Sequence, residues 1–172
     1  MGLITHYVLF FIHPASRQVS IAGITPHPAE GWMKQIARNA TMAGWGFLEG
    51  CRYLIHDRDT KYCAAFAAIL RAAGVVPLPL SPRSPNLNAF AERFVLSVKS
   101  ECLDKLILFG EASLRHVLEQ FVEHYHSERN HQSKGNRILY PKTADRVGSR
   151  AGPIRTRERL GGLLNFFYRS AA

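Results

Sequence analysis

The chain is poor in cysteine, and the little it has is scattered. Cys51, Cys63 and Cys102 are odd in number and show no Cys-x-x-Cys spacing. That excludes a disulfide framework and a zinc ribbon, and it fits reduced thiols in a cytoplasmic protein. No basic segment followed by an apolar stretch and a cleavage site opens the sequence, so secretion is not expected. The apolar run 7–12 is far too short to cross a bilayer, and no membrane partner is expected. There is no Gly-rich phosphate loop, no Gly-x-Ser-x-Gly elbow and no Cys–His pair placed for nucleophilic attack. Acids are scarce, 13 against 22 Lys and Arg, and no Asp occurs before Asp57. Only Glu30 and Glu49 precede it, neither in a strand-like context.

At 172 residues, with 47% hydrophobic and 20% charged residues, the chain is long enough to bury one core and reads as globular. Its net charge of +9 is uneven. Residues 127–172 hold ten Lys or Arg against three acids, and residues 1–126 hold twelve against ten. A basic extension on a near-neutral core calls for a polyanion, most simply nucleic acid. A solubilising tail would have the same composition.

Periodicity orders the elements. Residues 5–13 and 18–25 read as strands joined by a turn at 14–17. Trp32, Ile36 and Ala40 recur at helical spacing, giving a helix over 29–42 with Pro28 at its entry. Gly44, Gly46 and Gly50 mark a loop. Residues 53–56 form a short strand that delivers Asp57. Asp59 or Thr60 is placed to cap a helix over 62–73, which Gly74 stops. Residues 75–80 are a strand, and Pro77 and Pro79 put it at a sheet edge. Ser84 and Pro85 suit the cap and first turn of a helix over 86–101. Leu114, Val117, Leu118, Phe121, Val122 and Tyr125 give the following helix an apolar stripe. After His126 the pattern dissolves into a weakly periodic basic tail with a last apolar patch near 160–168. The order is that of an α/β layer architecture.

Two acids then stand out. Asp57 closes a strand, and Glu92 follows 35 positions later on a helix. Two carboxylates brought together can share a hard divalent cation that polarises phosphate. On the Glu92 helix, Leu87, Phe90, Ala91, Phe94 and Val98 make one apolar stripe, while Asn88, Glu92 and Lys99 fall on another face. Other readings stay open. Asp57 also suits a turn, Glu92 an exposed helical ion pair, and Lys99 a solvated surface. His124-Tyr125-His126 is no zinc site, because helical residues two apart point away from each other.

The quoted residues resemble those of a known family. His56-Asp57-Arg58, then Asn88-Ala89-Phe90-Ala91-Glu92-Arg93-Phe94, then His124-Tyr125-His126-Ser127-Glu128-Arg129-Asn130-His131-Gln132 are similar, in order, to motifs of DDE transposases and retroviral-type integrases. The resemblance implies an RNase H-like integrase core, a mixed sheet flanked by helices, here lacking the first central strand and its catalytic Asp. It implies a core over 1–132, incomplete at its N-terminus, and a basic C-terminal extension over 133–172. It implies Mg²⁺ or Mn²⁺ held by Asp57 and Glu92, and DNA, both transposon ends and target, as substrate. Arg83, Asn88, Lys99, Arg129, Asn130 and His131 are the expected DNA contacts, with Arg129, Asn130 and His131 alternatively supporting the Glu92 helix. A second copy or an intact transposase is the expected protein partner, and a nucleoid-associated cytoplasmic location follows. With the first Asp absent, the chain is expected to be inactive or nearly so. The alternative is a non-enzymatic remnant that binds DNA or dimerises.

Overall fold

The computed structural model describes residues 4–81, 88–145 and 152–169. Strands β1 (Tyr7–Ile12) and β2 (Val19–Thr25) pair across a turn that His13 and Gln18 close through their backbone. Helix α1 (Glu30–Ala40) follows, then β3 (Tyr53–His56), α2 (Ala64–Ala72) and β4 (Val76–Pro79). Helix α3 (Ala89–Glu101) leads through a 3-10 turn at Leu103–Lys105 into α4 (Gly110–Ser127). Four short strands end the described chain: β5 (Asn130–His131), β6 (Arg137–Ile138), β7 (Ile154–Arg159) and β8 (Leu164–Arg169). The architecture is mixed α/β, with four α-helices among the described residues.

The chain forms two compact units. One comprises Met1–Phe11 with Ser20–Arg93, the other Ile12–Val19 with Phe94–Ala172. In the first unit, alternation along β1 and the helical period of α1 and α2 converge on one apolar cluster. Phe11, Met33, Ile36, Ala37, Phe66 and Leu70 lie at its centre. Phe66 and Leu70 have no exposed surface, and each contributes on the order of 1.5–3 kcal/mol through burial. Gly46 lets the 41–50 loop fold close against α1, since a Cβ there would sit 2.4 Å from the Ala40 carbonyl oxygen. Gly74, at φ +80°, turns the chain out of α2 in a conformation that side chains resist.

The parallel ribbon β3–β4 positions the first candidate acid. Its register pairs Tyr53 with Val76 and Ile55 with Leu78. The N–H groups of Val76 and Leu80 donate to the carbonyls of Arg52 and His56. Pro77 and Pro79, which have no N–H, therefore fall on the outer side of β4. On the other side, Tyr53 and Ile55 turn their N–H and C=O groups to an edge with no assigned strand among the described residues. Tyr53, Ile55, Val76 and Leu78 share one face of the ribbon, and all four are exposed.

Where one mixed sheet was expected, the described strands form four two-stranded sheets: β1–β2, β3–β4, β5–β6 and β7–β8. Two helix starts also differ. Helix α2 opens after Cys63 without a side-chain cap, because Asp59 accepts instead from the Lys61 N–H at 2.9 Å. The cap and first-turn residues proposed for the Glu92 helix, Ser84 and Pro85, lie outside the described residues. In α3 the buried face is Phe94, Ser97 and Val98; Phe90 is exposed, so the apolar stripe is buried only in the later turns.

In the second unit, Phe94 packs edge-on against Tyr125, with ring centres 5.2 Å apart, and lies 6.0 Å from Phe121. Leu114, Val117 and Leu118 extend that core along α4. The supposed tail is a hairpin. β7 pairs antiparallel with β8, so that Arg155, Arg157 and Arg159 share a face with Tyr168, Phe166 and Leu164.

Candidate functional site

Asp57 follows the last residue of β3 and is exposed. Its Oδ1 accepts only a long bond, 3.3 Å, from the Asp59 N–H. The surrounding loop is pinned without it. Arg58 turns away and donates through Nε to the Leu80 carbonyl at 2.8 Å. His56 Nδ1 lies 2.6 Å from the Asp57 carbonyl oxygen, and its ring rests 4.5 Å from that of Tyr62. Burial pushes the Tyr62 hydroxyl up to about 12, with the charges of Asp57 and Asp59 adding to the shift. Asp59 lies 2.5 Å from the Lys61 ammonium, which also stands over the Tyr7 ring at 5.0 Å. That hydrogen bond holds the Asp59 carboxyl below its usual range and raises Lys61.

Glu92 sits in the first turn of α3 and is exposed. Lys99 is exposed on the same helix, seven residues on, and Asn88 is half-buried just before the helix begins. Arg83 lies outside the described residues. Among the described residues neither Asp57 nor Glu92 forms an ion pair, whereas most of the other acids do: Glu30, Asp59, Glu101, Glu111, Glu123, Glu128 and Asp145 each hold a cation. The donor chemistry of Asp57 and Glu92 suits a hard divalent cation, since both are carboxylates open to solvent. No group of three or more His, Cys, Asp or Glu side chains that could hold a metal ion occurs among the described residues.

The other expected DNA contacts stand differently. Asn130 is exposed on β5. Arg129 grips Glu101 on α3 with two bonds, Nε at 3.0 Å and a terminal nitrogen at 2.6 Å, and reaches Ser97 at 3.5 Å. That fork raises the Arg129 pKa. His131 is buried, with Nε2 2.7 Å from the Tyr125 carbonyl, and burial pushes its pKa down. His126, just before them, accepts the Val19 N–H on Nε2 at 2.9 Å; burial lowers it too. Arg129 thus supports the helix that carries Glu92, while His126 and His131 tie backbone together inside the second unit.

One centre was not anticipated. The Glu128 side chain is fully buried and serves two arginines and a histidine. Arg159 forks onto it at 2.9 and 2.7 Å, Arg157 reaches it at 3.2 Å, and His124 at 3.0 Å. Arg157 also forks onto buried Asp145 at 3.0 and 2.7 Å and stands over the Tyr168 ring. Burial alone would raise the Glu128 carboxyl; hydrogen bonds from Arg159, His124 and Arg157 outweigh it and hold it at about 2. The signal in the sequence was the alternation of Arg155, Arg157 and Arg159, which puts three guanidinium groups on one face of a strand. Basic residues counted as free for a polyanion are therefore in part internal counter-ions.

Residues 73–138 match the family model of the integrase core domain. The match takes in β4, α3, α4, β5 and β6, and with them Glu92, Lys99, Arg129, Asn130 and His131; Asp57 lies before it. This stretch is similar to an integrase core domain, a likeness that supports DNA transposition or integration as the general role, with DNA as the partner. Cores of this type generally depend on a divalent metal. No curated protein matches the chain. No helix among the described residues is long and apolar enough to cross a membrane.

Proposed function

We propose that this chain is the catalytic core of a metal-dependent DDE transposase, built on an RNase H-like sheet. The observation that carries the reading is the integrase core match around Glu92, joined to an exposed Asp57 at a strand tip, neither acid having a counter-ion among the described residues. Asp57 and Glu92 would hold Mg²⁺ or Mn²⁺. Such an ion supplies Lewis acidity at the phosphate being cut or joined. Asn88, Lys99 and Asn130 offer polar and cationic contacts to the DNA backbone, with Arg83 beside them in sequence. Arg129 holds the last turn of α3 through Glu101. The pairs β1–β2 and β3–β4, each two-stranded among the described residues, suit parts of one RNase H-like sheet. The core spans 1–132, and the hairpin of the basic extension, 133–172, is held to α4 by its arginines.

A second reading keeps affinity for DNA without catalysis. In it the polypeptide acts as a DNA-binding or dimerising partner of an intact transposase. Labelled DNA incubated with the chain and Mg²⁺ or Mn²⁺ separates the two. Cleavage or joining that Asp57→Asn abolishes establishes the enzyme. DNA binding without cleavage establishes the second reading. A chain that neither binds nor cuts DNA sinks both.

A further inference from the structure

We propose that Lys61 is a resident counter-cation of the Asp57 loop and competes there with a divalent ion. The inference rests on the proposed role of Asp57 as a metal ligand. Three observations lead to it. The loop brings two carboxylates, Asp57 and Asp59, within two residues of each other, linked by the Asp59 N–H on Asp57 Oδ1. The only guanidinium in the loop, Arg58, is turned to the Leu80 carbonyl and neutralises neither. The ammonium of Lys61 is fixed on two sides, by Asp59 at 2.5 Å and by the face of the Tyr7 ring at 5.0 Å.

A cation held in this way does two things at once. It lowers the repulsion between two acids that lack a metal, which keeps the loop in shape. It also places one positive charge beside the spot a divalent ion must enter, so that metal binding has to overcome it. Lys61 is thus a positioning residue that sets metal affinity. Its field acts on Asp57 as well as Asp59, since the Asp57 charge contributes to raising the Lys61 pKa.

The test is Mn²⁺ binding to the full chain, read as loss of the free-ion paramagnetic resonance signal at fixed ionic strength. Lys61→Met, which keeps most of the stem but not the charge, is expected to tighten binding about tenfold, the scale of a single like charge a few ångströms from a divalent ion. Lys61→Arg keeps the charge and should bind as the parent does. Lys34→Met removes an equal charge from α1, where Lys34 pairs with Glu30, and should also change nothing. Circular dichroism confirms that each variant is folded. If Lys61→Met binds no more tightly while Asp57→Asn abolishes binding, the counter-cation role is overturned and the metal site stands. If Asp57→Asn leaves Mn²⁺ binding intact, or if neither the parent nor Lys61→Met binds, the metal site falls and the role of Lys61 falls with it.

Discussion

The two units solve the problem of charge in opposite ways. The first is assembled around aromatic and aliphatic side chains, with Phe66, Met33 and Leu70 sealed inside, and its candidate acid is left at the surface. The second takes carboxylates into its interior, with Glu128 and Asp145 almost completely buried, and surrounds them with guanidinium groups. A buried charge is tolerated only when paired and hydrogen-bonded. A carboxylate free of such partners and open to water, like Asp57, is the kind that remains available to a ligand. The difference teaches that the count of basic residues in the last third of the chain overstates what it can offer to DNA. Arg129, Lys142, Arg157 and Arg159 already hold Glu101, Glu123, Asp145 and Glu128.

The comparison can be broken most forcefully at Glu128. Glu128→Ala takes the forked carboxylate from Arg159, leaves Arg157 with Asp145 alone, and should cost about 3–5 kcal/mol, measured by urea denaturation. Phe66→Ala should cost a similar amount, about 3–5 kcal/mol, by opening a cavity in the first unit. What separates them is acid. The Glu128 carboxyl sits at about 2 in the folded chain against an ordinary value of 4.5, so its stabilisation is complete above pH 4.5 and is lost as the pH falls towards 2. Denaturation midpoints of the parent and of Glu128→Ala should therefore converge on acidification, while the Phe66→Ala penalty, which involves no proton, persists. A smaller effect is expected at Arg129→Lys. It replaces a two-pronged grip on Glu101 with a single ammonium and should cost about 1 kcal/mol in the same assay. The smallest belongs to the candidate site. Asp57→Asn and Glu92→Gln remove exposed groups that form no ion pair among the described residues, so stability should stay within about 0.5 kcal/mol of the parent. A large loss at either would recast that acid as structural.

Much of the fold was legible because period and punctuation agree in the sequence. Trp32, Ile36 and Ala40 marked α1 to within two residues at each end. Pro77 and Pro79 announced an edge that the backbone donors of β4 bear out. Gly74 marked the stop of α2. The hairpin β7–β8 was not legible, because Ile-Arg-Thr-Arg-Glu-Arg has no apolar alternation to betray a strand. Its half-buried Arg157 and Arg159 have acidic partners 12 to 31 residues away in the chain, and local pattern cannot supply such partners. Asp57 and Glu92 were legible as types at a spacing. The supporting role of Arg129 stood open in the sequence beside DNA contact; its partner Glu101, and the presence of Lys61 beside Asp59, required coordinates.

The ribbon of β3 and β4 carries one more consequence. One of its margins, along β3, has no strand assigned against it among the described residues; the other is closed by imino acids. Any strand that adds to this ribbon must therefore do so beside β3, because the β4 margin presents prolines with no N–H to donate.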